Sequence, residues 1–328
     1  MKPAVFYEEL ENDVVQCKLC PHNCVLKDGQ VGVCKTRKNV KGMLYSLNYG
    51  RLTSIAMDPI EKKPIFHFHC GEKIFSLGSW GCNFKCQFCQ NWEISQEKPP
   101  VKLANPEQIV EMAVANGSAG IAYTYNEPVV WFEFMLDTSR LAAREGLYNV
   151  VVTNGYIGEE ALELLLQSVH AMNIDLKGFN DDFYREIGGK REVVMQTIER
   201  ALKKNVHVEV TTLVVPTKND NPEELEAEFE WLASLDKDIP LHLSRYHPAY
   251  KYDLPPTPVE FLKELYEVAK KYLNFVYLGN VWDPKYENTV CPDCGNTVIQ
   301  RHGYEVSKVG MTEDGRCNEC GRQIAKMY

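Results

Sequence analysis

The sequence predicts an α/β protein: a full or partial β/α barrel with small cysteine-rich segments at both ends. Three observations carry this. Short apolar runs alternate with amphipathic helical patterns from Lys73 to about Leu278, the pattern of a parallel sheet with crossover helices. No GxGxxG turn follows any of the runs, which favours a barrel over a dinucleotide-binding sheet. The alternation stops at both ends, where cysteines gather instead.

In chain order, residues 1–73 hold four cysteines, glycines at Gly29, Gly32, Gly42 and Gly50, and few helical patterns. They read as a small, loop-rich, metal-stapled unit. Residues 74–281 hold the candidate strands Ile74–Leu77, Gly120–Tyr123, Asn149–Thr153, Ala171–Asp175, Val206–Val214, Leu241–Ser244 and Phe275–Leu278. The intervening helices carry start signals of one design at Asn105-Pro106, Asn221-Pro222 and Thr257-Pro258: a capping side chain, a proline at the first helical position, and Glu or Gln three residues after the cap. The helix after Pro128 runs to Arg144-Glu145, with Gly146 as its stop. Residues 282–328, entered through Asp283-Pro284, read as a separate C-terminal module.

Composition narrows the class. The chain has 328 residues, 45% hydrophobic and 25% charged, enough apolar material for a sizeable core. It contains no apolar run of about 18 residues, so no membrane span is expected. No apolar stretch of the secretory type opens the chain, so the expected location is the cytoplasm. A net charge of −9 disfavours generic binding to nucleic acid or anionic lipid.

The twelve cysteines fall as Cys17, Cys20, Cys24 and Cys34; Cys70 alone; Cys82, Cys86 and Cys89; and Cys291, Cys294, Cys317 and Cys320. In a reducing compartment such close spacings point to metal ligation rather than disulfides. The sharpest is Cys82-x3-Cys86-x2-Cys89, on the loop after the first barrel strand. Three thiolates there can hold three irons of a [4Fe–4S] cluster and leave the fourth open to a ligand. The alternative is a zinc knuckle whose fourth ligand comes from elsewhere.

This motif resembles the CxxxCxφC motif of the radical S-adenosylmethionine (radical SAM) superfamily, with Phe88 as the aromatic before the third cysteine. The resemblance covers about residues 74–280 and implies a partial β/α barrel of the radical SAM type. It also implies a [4Fe–4S] cluster whose open iron chelates S-adenosylmethionine, reductive cleavage to a 5′-deoxyadenosyl radical, and hydrogen abstraction from a substrate. More closely, the chain resembles the pyruvate formate-lyase activating enzyme-like branch, and its outer cysteine clusters resemble those of the AmmeMemoRadiSam-system radical enzymes.

The resemblance assigns cofactor roles at the strand ends. Glu127-Pro128 stands where the superfamily has a GGE-type segment, with Tyr125 and Asn126 in place of the glycines. Glu127 would then accept the methionine ammonium; otherwise Asn126-Glu127-Pro128 simply starts a helix. Asn154 ends the third strand. Asp175-Leu176-Lys177-Gly178 ends the fourth, and Lys177 would pair with the methionine carboxylate while Asp175 holds Lys177. A plain salt pair is the alternative. His247, after the sixth strand, would reach the ribose; Arg245 and Tyr246 are equally placed to meet substrate. With Phe88, these form the expected cofactor-binding set.

The outer clusters are less specific. Cys291-x2-Cys294 and Cys317-x2-Cys320, each followed by glycine, have the form of a zinc ribbon that could also hold iron. Cys17-x2-Cys20-x3-Cys24-x9-Cys34 could close a zinc tetrahedron or hold an auxiliary iron–sulfur cluster, with structural zinc favoured and His22 a competing ligand. His67 and His69 beside Cys70 read as packing residues, and Cys70 as a buried thiol.

The expected function is therefore radical SAM chemistry on an unidentified substrate, first of all a protein, as in glycyl-radical activation. Modification of a small metabolite or RNA, and a non-catalytic iron–sulfur or zinc module, are the alternatives. An electron donor such as ferredoxin or flavodoxin is the implied partner.

Overall fold

The computed structural model describes residues 1–327; Tyr328, the last residue of the C-terminal module, lies outside the described residues. Its centre is an eight-stranded sheet: β1 (Ser54–Pro59), β2 (Lys73–Gly78), β3 (Gly120–Tyr123), β4 (Tyr148–Thr153), β5 (Ala171–Asp175), β6 (His207–Val214), β7 (Leu241–Arg245) and β8 (Val276–Gly279). Each strand pairs with its neighbour in sequence, so the order never reverses as it would in a doubly wound sheet. β2 to β8 are parallel, and the sheet curls as an open, partial barrel. The seven expected strands all appear, with ends shifted by at most two residues.

The eighth was not expected. β1 lies antiparallel on β2, with Ser54 opposite Gly78 and Pro59 opposite Lys73. Its residues are half-buried almost throughout, so Ser-Ile-Ala-Met-Asp-Pro shows no alternation to betray a strand. The main sheet thus begins ahead of Lys73. The N-terminal segment is also less loop-rich than expected. It forms two small antiparallel sheets, one of Tyr7–Leu10, Val14–Cys17 and Val25–Leu26, the other of Lys2–Pro3, Met43–Ser46 and Arg37–Val40. Strands of two to four residues are too short for a periodic signal.

Besides the single helical turn Trp92–Ser95, the helices that connect the strands are α1 (Pro106–Ala115), α2 (Phe132–Arg144), α3 (Glu159–Leu165), α4 (Asp181–Ile187), α5 (Arg191–Lys203), α6 (Pro222–Leu235) and α7 (Val259–Ala269). Asn105 and Gln108 form a reciprocal capping box on α1, and Asn221 accepts from the N–H groups of Glu223 and Glu224 on α6. Gly146 (φ 73°) closes α2 in a Schellman motif, with Leu147 N bonded to Ala142 O and Gly146 N to Ala143 O. Thr257 does not cap α7. Its hydroxyl donates to Val214 O at 2.6 Å and accepts from Tyr246 N at 3.0 Å, tying β6 to the loop after β7. Nor does α2 begin at Pro128: a 3-10 turn, Pro128–Trp131, comes first, capped by Glu127.

The segment between β1 and β2 fills one end of the barrel. Ile65 and Phe68 pack with Ile74, Ala122, Val150 and Ala171 from the strands. One carboxylate anchors this plug. Glu209, fully buried on β6, accepts from the N–H groups of Phe66 and His67 at 2.8 and 2.7 Å, and from His207 and His242 at 2.9 and 2.7 Å. Burial would raise its pKa, but the two histidines outweigh that and hold it well below the usual carboxylate range.

Cys70 is a buried thiol, pushed up to about 12 by burial, with its Sγ 2.9 Å from Phe66 O. His67 bonds the Ile324 carbonyl and the Tyr277 hydroxyl, both at 2.6 Å. His69 sits 3.2 Å from the Glu72 carboxylate and packs on Tyr148. Both histidines serve packing.

The C-terminal module is a three-stranded antiparallel sheet, Thr289–Val290, Thr297–His302 and Glu305–Ser307. Its buried Arg301 reaches the barrel plug, donating to Phe66 O at 2.8 Å while stacking over the Phe66 ring at 4.1 Å. Among the described residues no helix is long and apolar enough to cross a membrane.

Candidate iron–sulfur and cofactor site

The loop that leaves β2 at Gly78 carries Cys82, Cys86 and Cys89, and residues from three other segments hold it. Asn126 clamps its start, accepting from Ser79 N at 2.9 Å and donating to Gly81 O at 2.9 Å. Gly81 (φ 91°) has no room for a side chain, since a Cβ there would lie 2.6 Å from the Cys34 carbonyl. Asn83 donates to Tyr156 O at 2.7 Å and accepts from Asn154 Nδ2 at 2.8 Å. His22, from the N-terminal segment, bonds the Asn83 carbonyl at 2.7 Å.

The strand ends align because the parallel register places Tyr123 beside Leu77 and Val151, Thr153 beside Ile174, and Asp175 beside Thr211. The C-terminal rim of the sheet therefore faces the thiol loop across a cavity of about 610 Å³. The three cysteines line it, as do Phe88, Glu127, Asn154, Asp175 and Lys177. His247 does not. It stands exposed on the loop after β7, its Nδ1 3.4 Å from Gln90 Nε2.

Each of these side chains has a definite local role. Phe88 is buried and stacks on Phe183, ring centroids 5.6 Å apart. Asn154 reaches Cys82 Sγ at 3.8 Å, and its Oδ1 accepts from Tyr156 N. Lys177 Nζ lies 2.9 Å from Asp175 Oδ2. Burial alone would lower the Lys177 pKa, but Asp175 and then the Cys86 thiol outweigh it, so the ammonium stays charged. Glu127 is committed to its own chain. It accepts from Val129 N at 3.0 Å, the Thr153 hydroxyl at 2.7 Å and Asn154 N at 2.8 Å. Of the roughly four lone-pair directions of a carboxylate, little is left for a ligand. Burial raises its pKa to about 7.

The thiols suit a metal cluster. Burial pushes Cys86 up to about 12, with Lys177 opposing, so a bare thiolate there is unfavourable until a cation compensates it. Cys82 also accepts from Phe84 N at 3.3 Å. Among the described residues, the one set of three or more His, Cys, Asp or Glu side chains with ligand atoms all within 4.8 Å of one another is Cys291, Cys294, Cys317 and Cys320. Sulfur separations of 3.5 Å (Cys291–Cys320) and 3.6 Å (Cys294–Cys317) match one tetrahedral ion. Cys17, Cys20, Cys24 and Cys34 line a second, smaller cavity together with His22 and Arg37.

Sequence reasoning missed the lower cavity wall. Thr211 and Leu213 on β6, and His242 and Ser244 on β7, alternate with residues facing the helices and point into the cavity. The signal was present: polar residues two apart in otherwise apolar parallel strands are out of place unless they face an interior site. Asn126 was noted only as a departure from the superfamily's glycines, yet it is the clamp of the thiol loop.

Residues 79–232 match the sequence signature of the radical SAM superfamily. The chain is 45% identical over 332 residues to the uncharacterized protein MJ0808 of Methanocaldococcus jannaschii, spanning 99% of both chains. It is 24% identical over 180 residues to the pyruvate formate-lyase 1-activating enzyme of Escherichia coli K12, covering 52% of this chain and 73% of that enzyme. Among solved structures, Streptococcus suis SuiB bound to S-adenosylmethionine superposes with a TM-score of 0.52 at 14% identity, over 63% of this chain and 52% of SuiB, a likeness of fold. The signature spans the loop that carries the three thiols and the strands β3 to β6. The chain belongs to the radical SAM superfamily, and over about half its length it is similar to a pyruvate formate-lyase activating enzyme.

Proposed function

We propose that this protein reductively cleaves S-adenosylmethionine at a [4Fe–4S] cluster held by Cys82, Cys86 and Cys89 and abstracts hydrogen from a protein substrate. The observation that carries the reading is the shared wall: three thiols, that of Cys86 buried and those of Cys82 and Cys89 half-buried, and the charged Lys177–Asp175 pair bound one cavity at the C-terminal ends of the strands. When bound there, the cluster and S-adenosylmethionine together supply a carbon radical strong enough to take a hydrogen atom from a C–H bond.

The chain's own residues do the rest. Lys177 meets the methionine carboxylate, oriented by Asp175. Asn154 donates toward the Cys82 sulfur. Glu127 fixes the ends of β3 and β4 relative to each other and leaves at most one lone pair for the methionine ammonium. The barrel walls and the plug exclude water from the reacting centre. His247 is left out of the cofactor set, and His242 takes its place on the wall.

A protein substrate is supported by the cavity mouth. Trp282, 76% exposed, and Tyr304, 51% exposed, both line it, and aromatic side chains presented to solvent at a cleft suit a peptide partner. The relationship to activating enzymes points the same way. The AmmeMemoRadiSam-system assignment, zinc in the C-terminal ribbon, and a ferredoxin- or flavodoxin-type electron donor complete the reading.

The test is anaerobic. Reconstituted protein with dithionite should form methionine and 5′-deoxyadenosine, and Cys86→Ala should form neither. Trp282→Ala/Tyr304→Ala should keep this cleavage but lose deuterium transfer from labelled cell protein into 5′-deoxyadenosine. No cleavage by fully loaded protein would end the enzymatic reading. Transfer from the small-molecule fraction alone would replace protein by metabolite.

A further inference from the structure

The chain contains two sets of four cysteines, and their thiols are arranged differently. A ZnS4 tetrahedron with bonds of about 2.3 Å places every pair of sulfurs roughly 3.8 Å apart. The C-terminal set meets this, with all four sulfurs within 4.8 Å of one another. The N-terminal set does not. No three of Cys17, Cys20, Cys24 and Cys34 fall within that distance, although all four line one cavity. The central trio, Cys82, Cys86 and Cys89, shares this open arrangement. In a cubane each thiolate binds a different iron at a separate corner, so the sulfurs must stand farther apart than around a single ion.

A second observation lies in the same cavity. Arg37 lines it and is buried, 1% exposed. Two of its nitrogens grip Glu133, at 2.7 and 3.0 Å, while its Nε has no partner. A buried N–H without an acceptor is costly, and sulfur anions in the cavity would supply one. His22 is engaged with the Asn83 carbonyl, which removes one of its two nitrogens from the contest for a metal.

We infer that Cys17, Cys20, Cys24 and Cys34 bind an auxiliary [4Fe–4S] cluster with four protein ligands, with the Arg37 Nε–H directed at it, rather than zinc. The cluster site abuts the thiol loop of the first: Cys34 O and Thr36 press on Gly81, and His22 bonds Asn83, the two neighbours of Cys82. With no open iron, this second cluster has no place for S-adenosylmethionine.

The experiment uses the full chain, reconstituted anaerobically with iron and sulfide. The triple variant Cys82→Ala/Cys86→Ala/Cys89→Ala should retain acid-labile sulfide and a reduced-cluster paramagnetic resonance signal that S-adenosylmethionine leaves unchanged. Adding Cys20→Ser/Cys24→Ser should abolish both. Placed in the parent, Cys20→Ser/Cys24→Ser should halve iron and sulfide and spare the S-adenosylmethionine-responsive signal. If the triple variant does not fold, the parent still decides: two cluster equivalents of sulfide per chain support the inference, and one overturns it. A triple variant free of sulfide, or zinc lost when Cys20 and Cys24 are replaced, also overturns it. Sulfide is counted whether or not the central cluster binds its cofactor, so this result stands apart from the proposed activity.

Discussion

Removing the Lys177 ammonium separates a cofactor contact from a packing contact. In the structure Nζ sits 2.9 Å from Asp175, with the Lys177 side chain 15% exposed and that of Asp175 29% exposed. A charge-assisted contact of this kind to the methionine carboxylate is worth about 1.5–3 kcal/mol. Lys177→Ala should therefore weaken S-adenosylmethionine binding by roughly 10- to 150-fold. The upper half of that range is favoured because truncation also leaves the Asp175 carboxylate facing the incoming one. Iron and sulfide should stay at the parent level, since Lys177 ligates no metal. The assay is anaerobic titration of the cluster spectrum with S-adenosylmethionine, repeated in Lys177→Met and Asp175→Asn/Lys177→Met. If the charge is the agent, the double variant should recover part of the loss, because the repelling carboxylate is gone. Binding within twofold of the parent in a fully loaded Lys177→Ala protein would refute the contact and leave Lys177–Asp175 as a plain ion pair.

Glu127→Ala should act mainly through structure: it orphans Val129 N, Asn154 N and the Thr153 hydroxyl, for a loss of about 3 kcal/mol in chemical denaturation, with reduced cluster retention as Asn154 loosens from Cys82. Glu228, fully buried on α6 against the Thr212 hydroxyl, has its carboxyl raised to about 8 by burial. The folded state thus holds a proton that the unfolded state releases above about pH 4.5. Stability should fall by about 1.4 kcal/mol per pH unit from this group as pH rises toward 8, and Glu228→Gln should flatten that slope in denaturation at successive pH values. Arg301→Ala should cost about 3 kcal/mol in chemical denaturation, through lost bonds to Glu287 O, Thr289 and Phe66 O. Chelation of the ribbon metal should speed hydrogen exchange in residues 289–307 while leaving the iron–sulfur content intact.

The parallel strands were legible in the sequence because each is a short, nearly continuous apolar run bounded by a capped helix. Thr257 misled because Thr-Pro looks like a cap when its hydroxyl is in fact spent on Val214 and Tyr246. The edge strand Ser54–Pro59 and the small N-terminal strands were illegible because neither half-burial on both faces nor two-residue pairing leaves a period. At the site, the thiol spacing is local and needs no fold to be read. What Glu127 does depends on contacts 26 and 27 residues away, with Thr153 and Asn154, and no local motif encodes that. The ribose role of His247 rests on the resemblance of the segment after Leu241–Ser244 to the activating enzymes, and the structure leaves that side chain exposed and off the cavity lining. His242 faces the cavity instead because residues on a strand alternate sides, and the loop beyond the strand turns outward.

The two terminal modules also make sense of an open barrel. A sheet whose first and last strands do not pair leaves a seam between β1 and β8, and a reactive centre inside would be wet through it. The plug closes the lower end, held by Glu209 from inside and by Arg301 from the C-terminal module. That module continues the closure, since Glu287, Gly303 and Tyr304 line the same cavity as the three central thiols. The N-terminal segment does the corresponding work above, where the Cys34 carbonyl rests against Gly81 and Asn48 bonds the Trp80 carbonyl at 3.0 Å. Segments of this size hold little core of their own, so metal bound at their cysteines would make them rigid enough to serve as walls. Loss of the metal at the C-terminal end should therefore be felt at the cavity mouth, where Tyr304 stands, before it is felt in the parallel sheet.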